Sequence, residues 1–223
     1  MEQIEEGTRE VRAIGGSASG QLTVGLFSSL ASGFLARLFH AYDDRYPGVQ
    51  VDFVDASARE HSMSVRQLET DVAFTIGRLN VHDCDAVHLW TESLSVALPV
   101  SHPLAPKEQL SWSDLADEVF LVRPGALGLE VRDYIVGRLE ELNMRATIKV
   151  QRVGRYSLLG LVAARRGIAL VIQSETTISI PGVVYRPIAE ERLPFFMIFS
   201  ARNDNPAARV LISLARKMSQ ETA

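Results

Sequence analysis

The chain has 223 residues, 47% of them hydrophobic and 22% charged, with a formal net charge of −4 and a mean hydropathy of +0.07. That length suits one large domain or two small lobes, and the balance is that of an ordinary soluble globular protein. A net negative chain with scattered arginines lacks the concentrated basic face that holds nucleic acid by itself; Arg165-Arg166 reads as a solvated helix end rather than a phosphate patch. Cys84 is the single cysteine, so a disulfide within the chain is excluded and a reducing, cytoplasmic setting is expected. No basic-then-apolar leader is seen, and nothing approaches the ~20-residue apolar run of a membrane helix.

Residues 1–20 stand apart: a charged stretch to Ile14, then Gly15-Gly16-Ser17-Ala18-Ser19-Gly20, which has the composition of a flexible linker. From Gln21 the order is strand, helix, strand, helix, strand. Leu22–Phe27 is short, apolar and rich in strand formers. Ser28 or Ser29 is placed to cap the helix that follows, whose apolar positions recur at helical spacing from Leu30 to Tyr46. Tyr46-Pro47-Gly48 stops it. A second strand, Val49–Val54, ends in Asp55-Ala56-Ser57, which opens a second helix, and Asp71–Ile76 is the third strand.

Ala86–Thr91 and Leu94–Pro99 read as two further strands, and Ser111–Leu115 as a short capped helix start. Glu118–Val122 is a strand, followed by the loop Arg123–Gly128 and a helix from about Leu129 to Leu142, closed by Asn143-Met144. Thr147–Val153 is a strand. Gly154–Ser157 opens a helix over Leu158–Arg166, with Gly167 as its terminating glycine. Ile168–Ile172 is an unbroken apolar strand, as in a parallel sheet covered on both faces. Val183–Pro187 and Phe195–Ser200 are late strands, and Pro206–Gln220 an amphipathic helix. The alternation gives α/β architecture with mostly parallel sheets, in two similar lobes divided near residue 98.

Two strand ends thus aim two helix N-termini at one place, where free N–H groups and the hydroxyls of Ser28, Ser29 and Ser57 suit a small anion or polar molecule. Capping, worth ~1 kcal/mol each, is compatible with that role. Signatures of catalysis are missing: there is no Gly-x-Ser-x-Gly elbow, no Ser-x-x-Lys, no Walker loop and no Gly-x-Gly-x-x-Gly after a strand. His82-Asp83-Cys84-Asp85-Ala86-Val87-His88 holds ligand-type residues without zinc-site spacing. His102, before a proline, reads as a turn residue, and Asp71 as a carboxylate bonding nearby backbone. His40 and His61 fall on helices without an obvious partner.

Several ordered pieces carry a resemblance. They are Gly20-Gln-Leu-Thr-Val-Gly25, Tyr46-Pro47-Gly48-Val49, Asp71-Val-Ala-Phe74, Leu98-Pro99 with His102-Pro-Leu-Ala105, Asp114-Leu115, and Leu159–Ala164 with Gly167-Ile168. In this order the chain resembles the effector-binding region of LysR-type transcriptional regulators, from about Gly20 to Met218. Val24–Leu30 and Pro181–Pro187 look most like members that sense aromatic or muconate-type acids.

The resemblance implies an α/β chain of two Rossmann-like lobes in the type 2 periplasmic-binding-protein fold. Residues 1–20 would be the remnant of a linker helix and a flexible linker, 21–98 and 195–223 effector-binding lobe I, and 99–194 lobe II. It implies a small effector, a carboxylic acid, in the interlobe cleft. DNA would be bound only through a winged helix-turn-helix upstream, and copies would assemble as homodimers or homotetramers, with no cofactor, metal, catalysis or membrane contact. By position, the effector contacts would be Ser28, Ser29, Ser57 and Thr75 in one lobe and Arg123, Gly125, Arg155 and Tyr156 in the other. The serines and nearby N–H groups would hold the carboxylate, and Arg123 or Arg155 would add a charge-assisted bond. Arg165-Arg166 and Ile172-Gln173 depart from the family pattern, as do Ala56 and Ala58 beside the second helix. The same fold also serves transporter solute-binding proteins and small dehydratase-like enzymes; an export signal or turnover of the bound ligand would mark those.

Overall fold

The structure is a computed structural model and describes residues 20–26, 30, 32–77, 82–123 and 126–222. The expected linker remnant up to residue 19, and Ser28, Ser29 and Gly125, lie outside the described residues. The chain divides into two compact units, one running to Thr91 and resuming at Pro194, the other comprising Glu92–Leu193.

The first unit holds β1 (Gly20–Leu26), α1 (Gly33–Arg45), β2 (Val49–Asp55), α2 (Ala58–Gln67) and β3 (Val72–Ile76). The opening part of β4 (Cys84–Pro99), the closing part of β8 (Val183–Ser200) and α5 (Pro206–Thr222) complete it. β1 pairs parallel with β2, from Gly20 opposite Val49 to Leu26 opposite Asp55, and parallel with β3 at Val24 and Gly25. β3 then meets β8 antiparallel, Val72 opposite Phe199 through Ile76 opposite Phe195. The sheet is therefore mixed rather than mostly parallel, because β8 returns from the second unit in the opposite sense.

α1 buries Phe34, Leu35, Leu38, Phe39 and Tyr42, a stripe at helical spacing. Trp90 of β4 lies between Phe34 and Phe195, with ring centroids 4.8 Å and 4.5 Å away, and anchors this core. The N-cap position of α1 is Ser32, not Ser28 or Ser29; the chain enters the helix through Gly33, whose φ of 80° favours glycine. Asp71, just ahead of β3, accepts from the backbone N–H of Thr23 and from the side-chain amides of Asn203 and Asn205. Asn205 also caps α5, its Oδ1 accepting from Ala207 N–H at 3.0 Å ahead of a helix that begins on proline.

The second unit holds the rest of β4 and the early part of β8 with β5 (Val119–Val122), α3 (Ala126–Glu140), β6 (Thr147–Val150), α4 (Arg155–Ala163) and β7 (Ala169–Ile172). Short 3-10 helices cover Trp112–Leu115 and Gln173–Thr177. β4 and β7 pair antiparallel from Leu94 opposite Ile172 to Ala97 opposite Ala169, and β5 and β6 pair parallel. Ala97, Leu121, Leu158, Leu159, Val162, Ala169 and Val171 form one core cluster. The Ser111 cap is realised as a capping box with Asp114.

Two differences from the sequence reading have clear causes. Glu92-Ser93 and the run 188–194 look like breaks, yet each lies inside one long strand, β4 or β8. The polar Glu92 does not interrupt the backbone, because its carboxylate turns to accept from Ser174 N–H at 2.9 Å. The units consequently part at Thr91/Glu92, ahead of the expected division at 98/99. Gly167 is not the residue that ends α4: the helix stops at Ala163 and Arg165 takes the left-handed turn, with φ 59°. Gly167 is instead a point of close approach, where a Cβ would sit 2.3 Å from the Val119 carbonyl oxygen.

Candidate functional site

In the first unit the parallel strands β1, β2 and β3 end at Leu26, Asp55 and Ile76, and α2 starts three residues beyond β2. Ser57 is its N-cap. The Ser57 hydroxyl accepts from Glu60 N–H at 3.0 Å and donates to the Glu60 carboxylate at 2.7 Å, which also takes the Ser57 N–H at 2.9 Å. These bonds from Ser57, the backbone one first, hold the Glu60 carboxyl below its usual range. The first intrahelical bond is from His61 N–H to the Ser57 carbonyl, 2.8 Å. The N–H groups of Ala58 and Arg59 therefore have no partner within the helix and supply its anion-favouring end.

Thr75 is fully buried near the end of β3, and its hydroxyl reaches the Gly77 carbonyl at 3.5 Å. The structure thus brings Ser57 and Thr75 to the carboxyl ends of neighbouring parts of one sheet, each already using its hydroxyl on its own backbone or helix. His61, which sequence reasoning left without a partner, is fully buried here. Its Nε2 lies 2.9 Å from the Leu26 carbonyl and must donate, which leaves Nδ1 as an acceptor with no hydrogen-bond partner among the described residues. The ring fits because Gly25 has no side chain: a Cβ there would lie 2.5 Å from Nδ1. A glycine inside an apolar strand was the one sequence signal for this contact.

In the second unit Arg123 is half-buried directly after β5, three residues before the start of α3. Arg155 opens α4 behind Gly154, which as N-cap contributes no side-chain bond. Its Nη2 donates to the Leu170 carbonyl at 3.1 Å and to the Glu175 carboxylate, which also accepts from Ile172 N–H. The arginine expected to meet a ligand charge therefore already carries a carboxylate partner, and Glu175 is a residue the sequence reading missed. The neighbouring Tyr156 is 67% exposed, with its ring in solvent.

Other polar groups are accounted for locally. His102 takes the Leu104 N–H on Nδ1 and faces Glu118 through Nε2, both at 3.2 Å, within a turn. His82 pairs with Asp83 at the surface, and His88 with the Thr91 hydroxyl. Burial pushes the Cys84 thiol up, away from thiolate chemistry. Among the described residues no three His, Cys, Asp or Glu side chains converge as a metal site, and no helix is long and apolar enough to cross a membrane.

The sequence matches the LysR substrate binding domain over residues 15–220. The chain belongs to that family. It is 28% identical over 174 residues to the HTH-type transcriptional regulator BenM of Acinetobacter baylyi, covering 76% of this chain and 56% of BenM. It is 29% identical over 192 residues to the HTH-type transcriptional regulator BudR of Raoultella terrigena, covering 82% of this chain and 64% of BudR. The chain thus spans between half and two thirds of the length of these relatives.

Among solved structures, the BenM effector binding domain with its effector benzoate superposes with a TM-score of 0.79 at 22% identity, over 92% of this chain and 95% of that one. The effector binding domain of QuiR in complex with shikimate gives 0.76 at 17% identity, over 92% and 99%. Such likeness establishes the fold: this LysR effector-binding domain has the type 2 periplasmic-binding-protein fold.

Proposed function

We propose that this LysR-family domain senses a small carboxylic acid and passes its capture to a DNA-binding winged helix-turn-helix that precedes it in the whole regulator. The observation that carries the reading is the α2 N-terminus. A capping box fixes it at the carboxyl end of β2, with the Ala58 and Arg59 N–H groups outside the helical ladder, beside the ends of two further parallel strands. Ser28, Ser29, Ser57 and Thr75 are the proposed contacts of the first lobe, and Arg123, Gly125, Arg155 and Tyr156 those of the second. For Ser57 the contact would use its backbone or require its hydroxyl to leave Glu60. For Arg155 the ligand carboxylate would share or replace Glu175.

No step in this reading is catalytic. Ligand binding biases a population of lobe or subunit arrangements, and a cytoplasmic dimer or tetramer re-spaces its DNA readers accordingly. Benzoate in BenM and shikimate in QuiR, both carboxylic acids, support the ligand class.

The test is a thermal melt of the purified chain against benzoate, cis,cis-muconate, shikimate and related small acids. A ligand that binds only the folded state raises Tm by mass action, about 2.7 kcal/mol of added stability at a hundredfold excess over Kd. A saturable shift removed by Ser28→Ala with Ser29→Ala is the expected result. An unchanged Tm across the panel would overturn the carboxylate assignment.

A further inference from the structure

The second unit contains a buried carboxylate that is not among the proposed effector contacts. Glu191 of β8 is 6% exposed and accepts four hydrogen bonds: from Trp112 Nε1 at 2.7 Å, from the Tyr134 hydroxyl, and from Arg138 Nε and Nη2 at 3.1 and 2.5 Å. Tyr134 and Arg138 stand four apart on α3 and so share one face. Trp112 comes from the 3-10 helix that the Ser111–Asp114 box sets in place. The residue before Glu191 is unusual: Glu190 sits within a strand yet has φ 59°, a left-handed backbone that a residue with a Cβ adopts at a cost. Two residues after Glu191, the chain leaves the second unit at Leu193/Pro194. The other strand that crosses, β4, carries a matching feature, since Glu92 stands immediately past its own crossing and is fixed by Ser174 N–H.

We propose that the Glu190-Glu191 step is a latch. The clamp formed by Trp112, Tyr134 and Arg138 holds β8 in its left-handed turn, and release of the clamp lets that turn relax and moves the strand where it enters the first unit. A strained residue persists only where its surroundings over-determine it, and four bonds to the adjacent side chain do so here. Element-terminal residues that absorb a large φ/ψ change are the usual hinges of domain motion. The trigger, though not the latch, rests on the effector reading: Arg123, a proposed ligand contact, stands three residues before α3, whose Tyr134 and Arg138 close on Glu191.

The experiment uses the chain without ligand, read by amide hydrogen exchange. Glu191→Gln keeps the volume but removes the charge that faces Arg138, and its amide oxygen serves Trp112 and Arg138 only if its NH2 turns to Tyr134, which reverses that bond. It is expected to speed exchange about tenfold or more at Phe195–Ser200 and at their β3 partners, across the crossing. Glu190→Gly makes the left-handed turn free of strain, so adding it to Glu191→Gln should return those amides towards their original rates, while Glu190→Gly alone leaves them unchanged. A contact that merely packs the second unit would show faster exchange only within 110–140 and 183–193, and no rescue by glycine; either outcome overturns the latch. Should Glu191→Gln fail to fold, Tyr134→Phe, with and without Glu190→Gly, is read in the same way. Because no effector is added and no proposed contact is changed, a failure here leaves the effector assignment standing, and an empty ligand panel leaves the latch standing.

Discussion

Each unit has a carboxylate that gathers remote segments, Asp71 in the first and Glu191 in the second, and the two are satisfied differently. Asp71 is only partly buried and is held by neutral donors, the Thr23 N–H at 2.8 Å and the Asn203 and Asn205 amides at 2.9 and 3.0 Å. Glu191 is deep in its unit, and dipoles alone would not offset the cost of burying its charge. Burial is the largest influence on its carboxyl and acts upward. The hydrogen bonds of Tyr134, Arg138 and Trp112 and the Arg138 charge outweigh it together and hold the group below its usual range. Asp71, half-buried, is satisfied by amides, whereas Glu191 is held with a counter-charge from Arg138.

The sharpest test of that contrast is truncation of both. Glu191→Ala strands the buried Trp112 N–H and leaves Arg138 only its exposed partner Glu141, and should cost about 3 kcal/mol by urea denaturation, discounted from the fully buried case because Arg138 is partly exposed. Asp71→Ala should cost about 2 kcal/mol, since its donors can turn to water. Equal losses would sink the distinction.

A second pair concerns glycines. Gly167→Ala sets a Cβ against the fixed Val119 carbonyl at a φ of 153°, and should cost about 3 kcal/mol. Gly25→Ala meets His61 Nδ1 at 2.5 Å and the Ala73 Cβ at 2.7 Å, atoms that can shift somewhat, and about 2 kcal/mol is expected. His61→Ala should recover part of the Gly25→Ala loss and none of the Gly167→Ala loss, which Tm values of the double variants would reveal.

The smallest effect is on acid stability. Asp114, bonded first by Lys107 and then by the Ser111 backbone and hydroxyl, has a carboxyl lowered from 3.8 to about 2. A group depressed by folding adds stability that is complete above its unfolded value and lost as pH falls through its folded one. Its contribution should therefore fade between about pH 4 and pH 2. Lys107→Met removes the leading cause, so the fading should end at a higher pH in that variant; superimposable Tm–pH curves for the two proteins would refute the assignment.

Local grammar was legible where neighbours in sequence decide the structure. The capping boxes at Ser57 and Ser111, the proline at the start of α5 and the apolar stripe of α1 each lie within a few residues. Asp71 does accept from backbone as read, but from Thr23, 48 positions back, rather than from its own neighbours, and its other partners are the remote Asn203 and Asn205. The ordered family pieces carried the fold, since their spacing encodes the whole topology. What failed had a remote partner. Glu92 looked like a strand break until Ser174, 82 positions on, accounted for it. Arg155 looked free until Glu175 was placed beside it. Gly167 looked like a helix stop, but answers to the Val119 carbonyl.

The sequence by itself determined the helices, the caps at Ser57 and Ser111 and the family, because these follow from periodicity, short-range hydrogen bonding and the ordered family pieces. Only the tertiary structure decided that β4 and β8 run unbroken from one unit to the other, that His61 lies against Gly25, and that Trp112, Tyr134 and Arg138 close on Glu191. Those contacts join residues from 36 to 79 positions apart in hydrogen-bond and packing geometry that no local pattern specifies, and only the folded chain brings them within reach.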